Sequence, residues 1–543
     1  MKVRLVALVL AMFLLGSCLL TGCGQAESSS NEEKVFTVAS NMNLTTMAPW
    51  QSTTDGDYYI FYQIYSRLVE TDFKGNYYPD LAESWESTED GMTWTFYLTE
   101  NFYWQRGNDL FGDELVEVTA DDVKYSLEYV MNPDNACTRL QDLTSTIESI
   151  TVIDDKTIQI KTFDVDGLFL YKMSTIMIIP QKAAEEGWDL TEQPVGSGPF
   201  KWESNIVDTE VVLVKNEDYF IEPNLDKVVF KFITENSVAA IALANEEVDH
   251  ITSFAYTEIE TIQGNENLEV QTNGSMCNWI AINVTRSLFE DVRVRRAIAS
   301  FIDMDALVAA VYPDDGTGVV QAVRAYGQIP MDLPGSDQER MKAVTPAYDP
   351  EAGHALMEEA GWTRNANGIY EKDGQQFTFD LQVGTNNPVR VNCAVVVSGM
   401  LNEQGINCSS KSVEWGTHLA DASAGNCDMH IVGGYAGVDG AMQVMHTDST
   451  GSFNPNPGYS HAEVDALLEE AWRTIDDDAR AELITQAQEI WLYDTVYLPM
   501  YYSYSFTATN NRVTNFYVND EYVGVDDVEF NLTSRMRNVD IAE

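Results

Sequence analysis

Positive charge is scarce in this chain: 32 Lys and Arg stand against 85 Asp and Glu, a formal net charge of −53. Nucleic acid is excluded as a partner on that ground, because a phosphate backbone is bound by clustered Lys and Arg, and no such cluster occurs. Acidity on this scale serves solubility and self-repulsion, or draws in cationic solutes. Histidine is rare as well, with 6 residues, and cysteine with 7. No CxxC pair and no Cys/His spacing of the metal-holding kind is present, so neither a metal centre nor a cofactor is expected. GxSxG, HExxH and the SxxK set are also missing, which argues against an enzyme. A glycosidase needs only two carboxylates, and 85 acidic residues keep a secreted hydrolase as a distant alternative.

Long apolar runs are confined to the N-terminus. Lys2 and Arg4 precede an apolar stretch from Leu5 to Leu20, the layout of a secretory signal. The stretch is marginal in length for a membrane span, which is the competing reading. It ends in Leu20-Thr21-Gly22-Cys23, which resembles the bacterial lipobox; residues 1–22 are then the signal peptide and Cys23 the lipid-carrying N-terminus. Leu15-Gly16-Ser17-Cys18 is a weaker second match with a very short hydrophobic region. Acyl chains gain about 0.8 kcal/mol per buried CH₂, so two or three hold a soluble body at a bilayer. Residues 23–34, rich in Ser, Glu and Asn, read as a flexible tether. Export permits disulfides, and Cys408 with Cys427 is one pairing to test. The five cysteines of the body (Cys137, Cys277, Cys393, Cys408, Cys427) leave at least one unpaired.

The body is 45% hydrophobic over the whole chain and too long for one core, so two or three domains are expected. Strands are predicted at VFTVAS (35–40) and at MTWTFYLTE, where Trp94, Phe96 and Leu98 share a face. SITVIDDKTIQIK gives a hairpin about Asp154-Asp155, and VVLVKN, KVVFKFI, NWIAINV and FTFDLQV give further strands. Helices are predicted from Thr119, which caps with Asp121 and Asp122 at the positive end of the dipole, and over HAEVDALLEEAWRTI. RVRRAIASFIDMDALVAAV reads as one helix with Val294, Ile298, Ile302 and Leu307 inward. Strands and helices mix without a strict βαβ rhythm, so the fold class is α/β with mixed sheets.

The run YSRLVETDFKGNYYPDLAESWESTEDGMTWTFYL (65–98) resembles one family in its Leu-Val, Asp, Gly, Pro-x-Leu-Ala-x-Ser-Trp and Asp-Gly order. FGDELVEVTADDVKYSLEYVMNP, VGSGPF, KNEDYF, FEDVRVRRAIASFIDMDALV, YDPEAGHALMEEAGW and GYSHAEVDALLEEA continue the likeness in family order. The family is the bacterial extracellular solute-binding proteins, family 5, the oligopeptide, dipeptide and nickel class. The resemblance implies a two-lobed periplasmic-binding-protein-like fold (type II, cluster C) with a ligand cleft between the lobes and a two-segment hinge. Lobe 1 is expected over 35–272 and 503–543, with an inserted subdomain at roughly 70–190, and lobe 2 over 273–502. It implies a monomeric substrate-binding lipoprotein of an ABC importer, facing the extracellular side or the periplasm. Its partners are a small peptide-like solute, the transmembrane permease subunits, and the membrane through the lipid anchor. A non-peptide solute such as an oligosaccharide or metal chelate, or a ligand-presenting sensor, is the alternative.

Peptide-binding members of the family place an Asp in a Gly-Trp-x-(Ala/Gly)-Asp segment against the ligand's α-ammonium. Here the segment is Gly434-Tyr435-Ala436-Gly437-Val438: Tyr435 keeps the aromatic, Val438 takes the carboxylate position, and Asp439 substitutes only if the loop shifts by one residue. A valine favours an apolar or uncharged group, since an unpaired buried ammonium costs several kcal/mol. Trp415, at the end of a second-lobe strand, and Asn43 and Trp50, in the loop after the first strand, are further ligand candidates; ordinary packing explains each equally well. Met442, Met445 and His446 form a soft cluster open to a metal or haem reading, though His446 lacks ligand-like neighbours in sequence. Arg324 and Arg390 are candidates for a ligand carboxylate, against the common fate of pairing on the surface.

Overall fold

The computed structural model describes residues 33–71, 76–331, 333–434, 438–448, 458–515 and 536–542. By its contacts the chain divides into Met1–Glu33 and Lys34–Glu543, and every described strand and helix lies in the second unit. Cys23 and the tether up to residue 32 lie outside the described residues. No described helix is long and apolar enough to cross a membrane.

Period-2 patterning fixes the first-lobe strands. β1 (Val35–Ser40) is buried at alternate positions before it becomes fully buried. Helix α1 (Asp55–Ile64) follows, and then the antiparallel strands β2 (Ala82–Ser87) and β3 (Thr93–Leu98). In β3, Trp94, Phe96 and Leu98 are buried, the face expected from the sequence. Helix α2 (Ala120–Met131) is capped as predicted: Thr119 donates its backbone N–H to Asp122 Oδ2 at 3.0 Å and its hydroxyl to the same oxygen at 3.1 Å. β4 (Ile147–Asp154) and β5 (Thr157–Thr162) form the expected hairpin and complete a four-stranded sheet in the order β2-β3-β5-β4.

The large sheet continues through β6 (Phe200–Ile206), β7 (Glu210–Lys215), β8 (Lys227–Phe232), β9 (His250–Phe254) and β10 (Leu268–Ile282). The predicted long helix is two: α3 (Val292–Ser300) ends before Phe301, and Asp303 accepts the N–H of Ala306 at 2.9 Å to start α4 (Met304–Val311). The aspartate competes for the backbone and resets the helix, while Val294, Ile298, Ile302 and Leu307 are all buried. Then come β11 (Thr378–Gly384), α5 (Pro388–Glu403), β12 (Asn407–Val413), α6 (Trp415–Ser423), β13 (Met429–Gly434), α7 (Val438–Met445), α8 (Ala462–Trp472), α9 (Asp477–Tyr493) and β14 (Tyr497–Asn510).

These strands form one mixed sheet in the order β12-β11-β13-β10-β14-β9-β1-β8-β7-β6. β10 and β14 are its spine, antiparallel partners from Leu268↔Asn510 to Ala281↔Tyr497. One end of this pair lies beside β9 (His250↔Thr509), and the other beside β13 (Ile282↔Met429). The register shifts between Asn273 and Ser275 and again between Asn278 and Trp279; such bulges bend a strand pair locally. Thr272 and Tyr502, where the chain was expected to change lobes, both lie within this pair. On either side of the shift stand separate cores. One holds Phe36, Phe61, Trp94 and Phe169; others hold Ile280, Phe379 and Val397 and Trp279, Val432 and Trp491.

The five described cysteines are all free and buried, so the Cys408–Cys427 pairing is corrected. β11 lies between β12, which carries Cys408, and β13, which Cys427 precedes. Two strand spacings are about 9.5 Å, beyond the Cα reach of about 7 Å for a disulfide. Cys408 Sγ sits instead 3.4 Å from Ser398 Oγ.

Candidate functional site

Parallel strands followed by helices place helix N-termini at the carboxyl edge of a sheet, the usual ligand edge of an α/β fold. In the second lobe β11 is parallel to both β12 and β13, so Gly384, Val413 and Gly434 end at one edge. The helices that follow begin there, and Arg390, Trp415 and Val438 each lie in a first helical turn. β10 runs antiparallel to β13 with Cys277↔Gly434 and Asn278↔Gly433. Residues earlier in β10, toward the register shift and the first lobe, therefore lie beyond this edge. The first lobe mirrors it: β1 is parallel to β8 and β9, and Phe254 at the end of β9 pairs with Phe506, as Thr272 does. The two carboxyl edges face each other across the bend. Asn43 and Trp50 follow the first edge; Arg390, Trp415 and Val438 stand on the second.

Arg390 is the chemically distinctive residue. Its helix starts at Asn387, whose side chain accepts the Arg390 N–H at 3.1 Å, with Pro388 next. The side chain is only 5% exposed. Nε donates to Asn278 Oδ1 at 2.9 Å, and Nη2 lies 3.6 Å from Met276 Sδ. Asn278 in turn donates to Ser503 Oγ at 3.0 Å and Met276 O at 3.1 Å. Among the described residues no carboxylate pairs with Arg390. Burial pulls its pKa down, and nearby Tyr501 and Tyr312 only partly offset this. Gly433 makes room: a Cβ there would sit 2.3 Å from Asn278 Oδ1 and 2.7 Å from Arg390 Nη2. Asn278 and Gly433 were not singled out in the sequence. The signal that was available is a cation in the first turn of a helix, where the dipole disfavours it, which is the kind of local conflict that marks a site.

Trp415 opens α6 after Glu414, which caps the N–H groups of Gly416 and Thr417 at 2.9 Å each. Its ring stacks on His418 at 5.5 Å and covers Gly384, where a Cβ would meet it at 2.6 Å. His418 and His430 are buried behind it with ring centroids 5.6 Å apart. Burial lowers both pKa values, that of His430 to about 3. Val438 is half-buried against the second-lobe core. Tyr435 lies outside the described residues; Asp439 is the second residue of α7, and its side chain lies outside them too.

The remaining candidates have local partners. Asn43 donates to Asp208 Oδ1 at 2.9 Å, and Trp50 meets Tyr129 edge-on at 5.0 Å beside a small cavity also lined by Tyr58 and Arg139. No hydrogen bond or ring contact joins either to a second-lobe candidate among the described residues. Arg324 does not pair on the surface: Nη1 donates to the carbonyls of Ala325, of Pro499 at 2.5 Å and of Met500 at 3.0 Å, and burial lowers its pKa to about 10. Met442 and Met445 are fully buried core residues. His446 has acidic neighbours the sequence spacing hid, Asp465 at 3.9 Å and Glu469 at 3.8 Å. No group of three potential ligands able to hold a metal occurs among the described residues.

Comparison with known proteins supplies the family. The sequence model of the bacterial extracellular solute-binding proteins, family 5, matches residues 76–456. The oligopeptide-binding protein AppA of Bacillus subtilis is 26% identical over 532 residues, covering 92% of this chain and 94% of its own. Among solved structures, the periplasmic binding protein DppA from Helicobacter pylori in complex with peptide STSA superposes with a TM-score of 0.69 at 24% identity, covering 94% of this chain and 98% of its own. NikZ from Campylobacter jejuni in complex with Ni(L-His) gives 0.71 at 21%, covering 94% and 100%. The fold is thus the two-lobed one expected.

Proposed function

Because the chain belongs to the bacterial extracellular solute-binding proteins, family 5, we propose that it is the membrane-tethered binding component of an ABC importer, closing its lobes on a peptide-like solute with a free carboxylate and a blocked or missing amine. The observation that carries the ligand class is Arg390, a buried guanidinium without a carboxylate partner among the described residues, at the second-lobe edge that faces the first lobe. A buried charge is stable when paired and hydrogen-bonded, and an Arg fork matches a carboxylate. Val438, half-buried on the second-lobe core at the position where the family resemblance implies an Asp, leaves an ammonium without its anion there. AppA is named for oligopeptide binding and the DppA structure holds a peptide; a solute that touches both edges gains contacts only in the closed form and shifts the population toward it.

In this reading Cys23 carries the lipid and residues 23–34 tether the body at the cell membrane. Lobe 1 is 35–272 with 503–543, and lobe 2 is 273–502. The solute is handed to permease subunits without chemical change. In the same reading Asn43, Trp50 and Trp415 line the crevice.

Thermal shift on the full chain tests it. N-acetyl tripeptides with a free carboxylate raise the melting temperature by mass action; their C-terminal amides do not, and the free-amine peptides do so less. Strong stabilisation by the amides equal to that by the acids overturns the ligand class. Release of the chain from membranes by Cys23→Ala tests the anchor.

A further inference from the structure

The lobes meet a second time, away from the spine. The loop after β5, Asp164 to Leu168, packs on the turn between α8 and α9. Gly167 donates its backbone N–H to Trp472 O at 2.7 Å. Arg480, 6% exposed, returns the contact: Nη1 donates to Gly167 O at 3.2 Å while it also holds its own turn through Thr474 O at 3.0 Å and Ile475 O at 3.2 Å. Arg473 Nε donates to Asp164 Oδ2 at 3.0 Å at the rim. Ile475 packs against the first-lobe core although α8 and α9 belong to a second-lobe core.

Two glycines admit this approach. A Cβ on Gly167 would lie 2.2 Å from Thr474 O, 3.0 Å from Thr474 C and 3.3 Å from Trp472 O, all on the opposite loop. Gly91, with φ +69°, faces Ile475 Cδ1, which a Cβ would meet at 2.5 Å. Gly167 itself has no positive φ, so its small size answers to the other lobe rather than to its own turn.

We propose that the Asp164–Leu168 loop and the Trp472–Arg480 turn form a clasp that sets the balance between open and closed forms without contact to the solute. It rests on the reading that binding proceeds by lobe closure. A backbone hydrogen bond, a guanidinium on a carbonyl and an apolar side chain seated in the far core exist only when the lobes are together, so their strength fixes the closed population before any solute arrives. Apparent affinity scales with that population, which makes these residues affinity determinants remote from the ligand.

The test is hydrogen exchange on the ligand-free full chain, comparing wild type with Gly167→Ala and, from the other side, Ile475→Ala. Both variants are expected to exchange at least tenfold faster at residues 164–168 and 472–476, with β3, β5 and the middle of α9 at wild-type rates. Unchanged rates in both segments, or equal acceleration throughout the chain, overturns the clasp. The solute reading is judged separately by the thermal shift with N-acetyl tripeptides: its failure leaves the ligand-free exchange result intact, and a failed clasp leaves the shift intact.

Discussion

Arg390 and Asn278, 112 positions apart in sequence, are joined by one hydrogen bond of 2.9 Å at the point where the second lobe's sheet meets the strand pair leading to the first. The amide oxygen orients the guanidinium but brings no negative charge, so the arginine is positioned without a carboxylate partner among the described residues.

Replacing Arg390 by Gln removes the charge and keeps a polar head. A charge-assisted hydrogen bond contributes about 1.5–3 kcal/mol, so binding of an N-acetyl tripeptide weakens about 10- to 150-fold by calorimetry. The melting temperature of the free protein stays level or rises, since an unpaired buried cation is relieved. A lowered melting temperature with unchanged affinity contradicts this.

Gly433→Ala pushes a methyl group against both Asn278 and Arg390. Overpacking of this kind costs about 1–3 kcal/mol. Most of it should appear in the affinity for carboxylate-bearing solutes, with the amide-capped analogues unaffected; parallel titrations of the two series check this.

Acid should destabilise the body from about pH 6.5 downward. His250 and His430 are fully buried, and desolvation holds both pKa values near 3 against 6.5 in the unfolded chain. Below pH 6.5 the unfolded chain binds protons that the folded chain refuses until about pH 3, so stability is present above pH 6.5 and lost as the pH falls. Each histidine contributes a slope of up to about 1.4 kcal/mol per pH unit. Urea midpoints between pH 7 and 5 should fall, and His430→Phe should reduce the slope; a flat profile contradicts the burial.

The body's thiols should be silent. All five are buried and free, and desolvation raises those of Cys137, Cys393 and Cys408 to about 11 and that of Cys427 to about 12. Thiolate is the reactive form, so a disulfide reagent at pH 8 titrates none in the native body and five after guanidine, and a reductant leaves the melting temperature unchanged.

Local rules carried the elements. Alternation in TWTFYL and the Thr119 cap concern neighbours in sequence and appear in the structure as read; the hairpin read about Asp154-Asp155 forms too, with its turn one residue later at Asp155-Lys156. Asp303 was legible as a cap, yet an unbroken apolar stripe from Val294 to Leu307 suggested a single helix. What the residues alone withhold is register. Whether β12 lies beside β13 decides the fate of Cys408 and Cys427, and whether Asn278 opposes Gly433 decides the surroundings of Arg390. Both are long-range pairings that no window of sequence contains. The same holds for Gly167, whose reason for being small lies in a loop more than three hundred positions away.

The spine of β10 and β14 keeps its cross-strand ladder from one lobe into the other, interrupted only at its bulges. A joint of that kind behaves as a leaf spring rather than a ball in a socket: it flexes about one axis and resists shear, because sliding would break the ladder while bending spares it. In the proposed closure, transit between open and closed forms then follows a single track, and a permease that distinguishes them would read one angle.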